Sequence, residues 1–209
     1  MGRRHDDSES YYERRIDSWL TELLSSLSRG DDGAADEALA FLERDPYFFR
    51  SGYARERLAR RLASVRLTDS QKLRARDIVI STVDGRRHCP QPGVGKLARA
   101  VADNSVRRDL RARLHHPEPA VARRALRVIV NVRRPGLTPD DVAAARELVL
   151  DDAGRGRWLS PTVARLAVYL WSQEWEGELR GLLPHHGPQR AAAKRLLAAL
   201  DRRKWRPDP

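Results

Sequence analysis

Pro92-Gly93-Val94-Gly95-Lys96-Leu97-Ala98 returns as Pro119-Ala120-Val121-Ala122-Arg123-Arg124-Ala125 and again as Pro161-Thr162-Val163-Ala164-Arg165-Leu166-Ala167, and a degraded fourth copy starts at Pro188. The leading prolines stand 27, 42 and 27 residues apart, so the first pair of copies recurs as the second pair after 69. Repetition at such periods marks helical hairpins that stack because no single hairpin can bury its own apolar face. Proline suits a first helical turn, where its missing N–H has no intrahelical partner to lose. The apolar triplets Val94, Ala98, Val101, then Val121, Ala125, Val128, then Val163, Ala167, Leu170 fall at i, i+4 and i+7, one face of a helix. Small residues at Gly95, Ala122 and Ala164 let a neighbouring helix approach. The basic residue after each is expected beside the seam with its head in water.

Working outward, second helices are expected at about 105–114, 139–151 and 176–183, with Ser105 and Thr138 as caps, and a last helix over 188–204. Upstream, Ser8 or Ser10 caps a first helix with an apolar stripe through Tyr12, Ile16, Trp19, Leu20, Leu23, Leu24 and Leu27, ending near Gly30. A second helix runs from about Gly33 to Arg44 and stops at Asp45-Pro46. A third covers 53–66 through Leu58, Leu62 and Val65, and Thr68 caps a fourth whose Leu73, Asp77 and Val83 mark a half-polar face. Tyr47-Phe48-Phe49 is expected to plug the gap between the first hairpin and the next. Ile78-Val79-Ile80 has the composition of a strand, but its flanks keep helical spacing. The expected fold is all-α, one domain over 1–209, with 1–45 as an N-terminal capping hairpin, 46–204 as repeats and 205–209 as a C-terminal tail.

Pro-x-Val-small-basic-x-Ala at the head of paired helices resembles the HEAT-repeat family, over roughly 45–204 by helix alternation and 92–195 by motif. The resemblance implies a right-handed superhelical stack of antiparallel helix pairs, an α-solenoid. In that family the second helices line a concave surface that mostly holds proteins and sometimes nucleic acid. Two stretches depart from the pattern: Asp151-Asp-Ala-Gly-Arg-Gly-Arg-Trp158 within the 42-residue interval, and the first 45 residues.

Apolar residues make up 41% of the 209, enough for a sizeable core. A single cysteine, Cys89, excludes an intramolecular disulfide, and the first residues lack the apolar stretch of a signal peptide, so a cytoplasmic setting is expected. Arg or Asp interrupts every apolar run before it is long enough to span a bilayer. Thirty-six of the 40 basic residues are arginine, a bias that with abundant alanine fits a GC-rich, bacterial-type genome as well as a binding role. The distribution of charge says more than the total of +11. Residues 1–50 sum to −5, residues 51–134 to +14 and residues 135–209 to +2. Such a block concentrates anionic partners, nucleic acid being the commonest, although helical repeats also carry solvated arginines for solubility.

If second helices line the concave face, Lys72, Arg74 and Arg76, then Arg107, Arg108, Arg111 and Arg113, place the central charge there, with Arg123, Arg124, Arg127, Arg133 and Arg134 nearby. Arginine pairs bidentately with phosphate, and backbone contacts give sequence-independent binding to DNA or RNA. An acidic protein fits the same charge, and so does the chain's own acidic N-terminus. Asp140, Asp141, Glu147, Glu174, Glu176 and Glu178 confine any polyanion track to the middle third.

Trp171 and Trp175, one helical turn apart beside Glu174 and Glu176, invite comparison with the HEAT-like alkylpurine DNA glycosylases, whose catalytic positions do not match here residue by residue; core packing is the competing explanation. His88-Cys89, His115-His116 and His185-His186 occupy loops before repeat copies and predict no metal site. Gly93-Val94-Gly95-Lys96 lacks the first glycine and the Ser or Thr of a phosphate loop, since Pro90 and Leu97 stand there. No cofactor and no catalytic set is predicted. The sequence points to a non-enzymatic interaction module for an acidic partner. A glycosylase and a protein scaffold with an exposed apolar patch are the alternatives.

Overall fold

The computed structural model describes residues 7–48, 50–85, 92–132, 136–155, 173–184 and 187–204. Among them the chain forms ten helices and no strand: α1 (Asp7–Ser28), α2 (Asp32–Arg44), α3 (Ser51–Leu62), α4 (Asp69–Asp84), α5 (Pro92–Ala100), α6 (Asn104–Leu114), α7 (Pro119–Ile129), α8 (Pro139–Gly154), α9 (Gln173–Gly181) and α10 (Pro188–Lys204). The all-α expectation holds. The chain divides into two compact units, Met1–Val106 and Arg107–Pro209. None of the described helices is long and apolar enough to cross a membrane.

In the first unit the stripe of α1 is buried from Ile16 through Trp19, Leu20, Leu23, Leu24 and Leu27; the Tyr12 side chain lies outside the described residues. Each fully buried leucine contributes about 2 kcal/mol, and α1 needs that burial because only its packed face holds it in place. Gly30 ends the helix at φ +78°, where a side chain would be strained. Asp31 then caps α2 by accepting from the Gly33 and Ala34 amides. Trp19 donates from Nε1 to Glu37 Oε1 at 2.6 Å and lies 4.9 Å from the Phe41 ring.

Of the aromatic triplet, Tyr47 does not join the expected plug. Phe48 meets Phe41 edge to face at 6.3 Å, but Tyr47 is 73% exposed, and Phe49 lies outside the described residues. The link from α2 to α3 alternates, Pro46 inward and Tyr47 outward, so neighbouring side chains cannot all face the core.

Helix α3 is shorter than expected, ending at Leu62, and α4 begins with a capping box in which Thr68 and Gln71 satisfy each other's backbone amides. Leu73 is 59% exposed while Val83 is fully buried, so the two do not share a face. Helix α3 packs on α1, α2 and α5, while α2 and α5 also pack on α4. The approach of α5 to α3 is close: the Gly93 amide donates to Glu56 Oε2 at 2.6 Å, and a Cβ at Gly93 would sit 2.5 Å from the Glu56 carbonyl oxygen. The first glycine of the repeat phrase therefore serves helix docking.

Helix α6 starts one residue before Ser105. Asp103 is the residue that accepts, from the Val106 amide at 2.7 Å, and Ser105 Oγ instead receives the Arg76 guanidinium at 2.6 Å. In the second unit α7 packs on α8, α8 on α10, and α9 on α10. Thr138 caps α8 as expected, with Asp141 closing the box. The apolar triplets are buried in both described copies of the phrase, Val94, Ala98 and Val101 on α5 and Val121, Ala125 and Val128 on α7. The copy at 161–167 lies outside the described residues.

Candidate polyanion interface

The sequence-predicted cations fall on three helices, and what faces them differs from one to the next. On α4, Lys72 Nζ reaches back to Asp69 at 2.8 Å, a surface pair one turn apart. Arg74 turns the other way, to α2. Its Nε and Nη2 hold the two Glu43 oxygens at 2.7 and 2.8 Å while Nη1 meets Asp36 at 2.8 Å. The hydrogen bonds and charge of Arg74 hold the Glu43 carboxyl below the usual carboxylate range, and Glu43 in turn raises Arg74. Arg76 is given to Ser105. The intramolecular use of the basic block by the acidic N-terminal residues is thus realised at Arg74, through Asp36 and Glu43.

On α6, Arg108 stands 72% exposed, 3.9 Å from its neighbour Asp109, whereas Arg107 is half-buried. Arg111 donates to the Gly136 carbonyl, and Arg113 to the Asp109 carbonyl at 3.0 Å. On α7, Arg124 and Arg127 are half-buried. Arg123 departs from expectation. Only 16% of its side chain is exposed, with Nη2 on Asp151 and Nε 2.7 Å from Asp152, so its head is turned to α8 and not to water. The aspartates that interrupt the repeat spacing are the ones that take it. Arg133 and Arg134 lie outside the described residues.

A cleft of about 470 Å³ opens between the end of α6, α7 and α8, lined by His115, His116, Arg123, Glu147, Asp151 and Arg155 among others. His115 Nε2 lies 2.8 Å from Asp141 Oδ1. Burial alone would raise the Asp141 carboxyl, but the Thr138 amide and the His115 and Thr138 side chains outweigh it and the carboxyl is lowered. Asp151 holds both Arg123 and Arg155. The cleft is therefore charged but internally balanced, and among the described residues no serine, threonine or cysteine lines it to act as a nucleophile.

Among the described residues no three His, Cys, Asp or Glu side chains gather to hold a metal. His88, Cys89, His185, His186, Trp158, Trp171 and Trp205 lie outside the described residues, as does the side chain of Trp175. Glu176, expected beside the tryptophans, is buried and pairs with Arg180 at 2.6 Å.

One face did not enter the sequence-based site. The exposed positions of α3 are Tyr53, Arg57, Arg60 and Arg61, spaced i, i+4, i+7 and i+8, and those of α5 include Lys96 and Arg99. The signal is present as helical spacing, but placing the concave surface on second helices leaves the outer faces of α3 and α5 out of it. Compared with family models, curated proteins and solved structures, the chain matches none.

Proposed function

We propose that the chain is a non-enzymatic helical-repeat module, HEAT-like in build, that holds an acidic macromolecule on its basic middle. The observation that carries this is the concentration of charge, +14 over residues 51–134 against −5 over residues 1–50. The packing order supports a stacked build, since α1 meets α3, α3 meets α5, and α2 meets α4, so alternate helices are neighbours within the first unit. In such a stack each layer offers an arginine-bearing face at a regular step. A guanidinium fork suits phosphate and carboxylate alike, and a chain of anionic groups engages several forks at once.

The test is fluorescence anisotropy with labelled single- and double-stranded DNA and RNA and with an acidic polypeptide, repeated across a salt series. Binding whose logarithm falls steeply and linearly with the logarithm of salt concentration is expected, because each neutralised anion releases a counterion. No binding to any of these probes at low salt would overturn the proposal and leave the arginines as solvated repeat surface.

A further inference from the structure

Within the first unit the arginines of α4 are committed to neighbours, whereas the outer stripe of α3 and α5 holds several cations that meet no acidic partner among the described residues. Glu56 ties the two helices together: its carboxylate receives the Gly93 amide of α5 and pairs with Arg60 one turn along α3. Lys96 follows Gly93 by almost one turn of α5, so the basic stripes of both helices border the same seam. Arg61, Lys96 and Arg99 are exposed, and their side chains meet no acidic partner among the described residues. Arg57 is fixed in place without being neutralised. It donates to the Tyr53 hydroxyl at 3.0 Å and its guanidinium lies 5.4 Å from the centre of that ring, a contact with no opposing charge. Of these five cations, Arg60 pairs with Glu56, and the other four have no acidic partner among the described residues.

Resting on the polyanion-binding function proposed above, we infer that the outer face of α3 and α5, with Arg57, Arg60, Arg61, Lys96 and Arg99, binds the phosphodiester backbone of a nucleic acid. The absence of an apolar centre selects this partner over a protein. Protein interfaces bury an apolar core inside a polar rim, and the large apolar side chains exposed among the described residues are Tyr47, Tyr53 and Leu73. Of these only Tyr53 belongs to the stripe, at 46% exposure and attended by Arg50 and Arg57. What remains is a row of forks and ammonium groups at helical steps, which contacts phosphates and reads no sequence.

The deciding experiment compares the full chain with the variant R61Q/K96Q/R99Q, using DNA and RNA of either strandedness and polyglutamate of matched length as labelled probes. The variant is expected to keep its helicity and melting temperature. It should bind nucleic acid about tenfold or more weakly near 0.1 M salt, with the salt slope smaller by about two to three. The single variants R61Q and K96Q, each expected to lower the slope by about one, decide the matter should the triple variant unfold. Wild-type binding that the substitutions leave unchanged would overturn this face while leaving the module proposal standing, and R108Q/R111Q would then be the variant that loses binding. Polyglutamate held as tightly as nucleic acid would overturn the choice of partner. Absence of all binding by the wild-type chain would overturn both proposals.

Discussion

Helices α4 and α3 both carry runs of basic residues in the same unit, and they end in different circumstances. Arg74 of α4 lies against Asp36 and Glu43 of α2, so its charge is spent inside the molecule. Arg57, Arg60 and Arg61 of α3 look outward beside Lys96 and Arg99 of α5, and among the described residues Glu56 is the carboxylate that pairs with them, at Arg60. The lesson is that a count of arginines along the chain does not locate a binding surface. The surface is set by which element each cation faces, because a carboxylate at hydrogen-bonding distance outcompetes any partner that must first give up its own hydration and freedom.

The sharpest way to break the contrast is at the seam. Gly93→Val places carbon against the Glu56 carbonyl, so α5 must move off α3, and a loss of about 3 kcal/mol in chemical denaturation is expected. The outward face should lose nucleic-acid binding with it, unlike R61Q/K96Q/R99Q, which should lose binding alone. An unchanged denaturation midpoint would show that the two helices are not held at this distance.

Next in size is the inner side of α3. Arg55 is buried, its pKa lowered by that burial, and it pairs with Asp45, the left-handed cap of α2 at φ +46°. Asp45→Asn keeps a residue that tolerates this backbone but leaves the buried guanidinium without its counter-charge. Destabilisation by about 2 kcal/mol is the expected result, and equal stability of the two chains would mean that solvent already reaches Arg55.

Smaller still is the spent charge of α4. Arg74→Met should cost about 0.5–1 kcal/mol near neutral pH, because the pair is partly exposed, and should leave nucleic-acid affinity within about twofold. Its pH dependence has a definite sign. The folded Glu43 carboxyl titrates below its unfolded value, near 4, so the pair stabilises above that value and the contribution disappears as the pH falls through the lowered folded one. Melting curves of wild type and Arg74→Met should therefore converge on acidification, and a constant gap would rule out Glu43 as the partner that matters. The least effect is expected at Tyr47, whose replacement by alanine should change stability by under about 0.5 kcal/mol, since its ring is mostly in water. A larger loss in thermal unfolding would restore the aromatic plug.

Much of this was legible in the chain before any coordinates. The period of the proline-headed phrase and the i, i+4, i+7 triplets identify helices and their inward faces, because a helix that cannot bury its stripe does not persist. Thr68, Thr138 and Gly30 mark their boundaries through local backbone chemistry. Ser105 misled for the same local reason, since Asp103 stands two residues earlier and is an equally good cap. Tyr47 and Arg123 misled for a different one. An aromatic or a basic residue is suited to either side of a helix layer, and nothing within its own turn decides which.

What the sequence by itself determined is the all-α class, the inward stripes of α1, α5 and α7 and the basic middle, all of which follow from interactions within a few residues or from composition. What only the tertiary structure decided is the fate of each charge. Arg74 meets Glu43 across 31 residues, Arg123 meets Asp151 across 28, and the Gly93 amide meets Glu56 across 37, leaving Arg61, Lys96 and Arg99 to water. Such pairings depend on which helices pack together and at what rotation. The summed burial of apolar side chains fixes those choices, and the charges then take whatever neighbours the packing supplies.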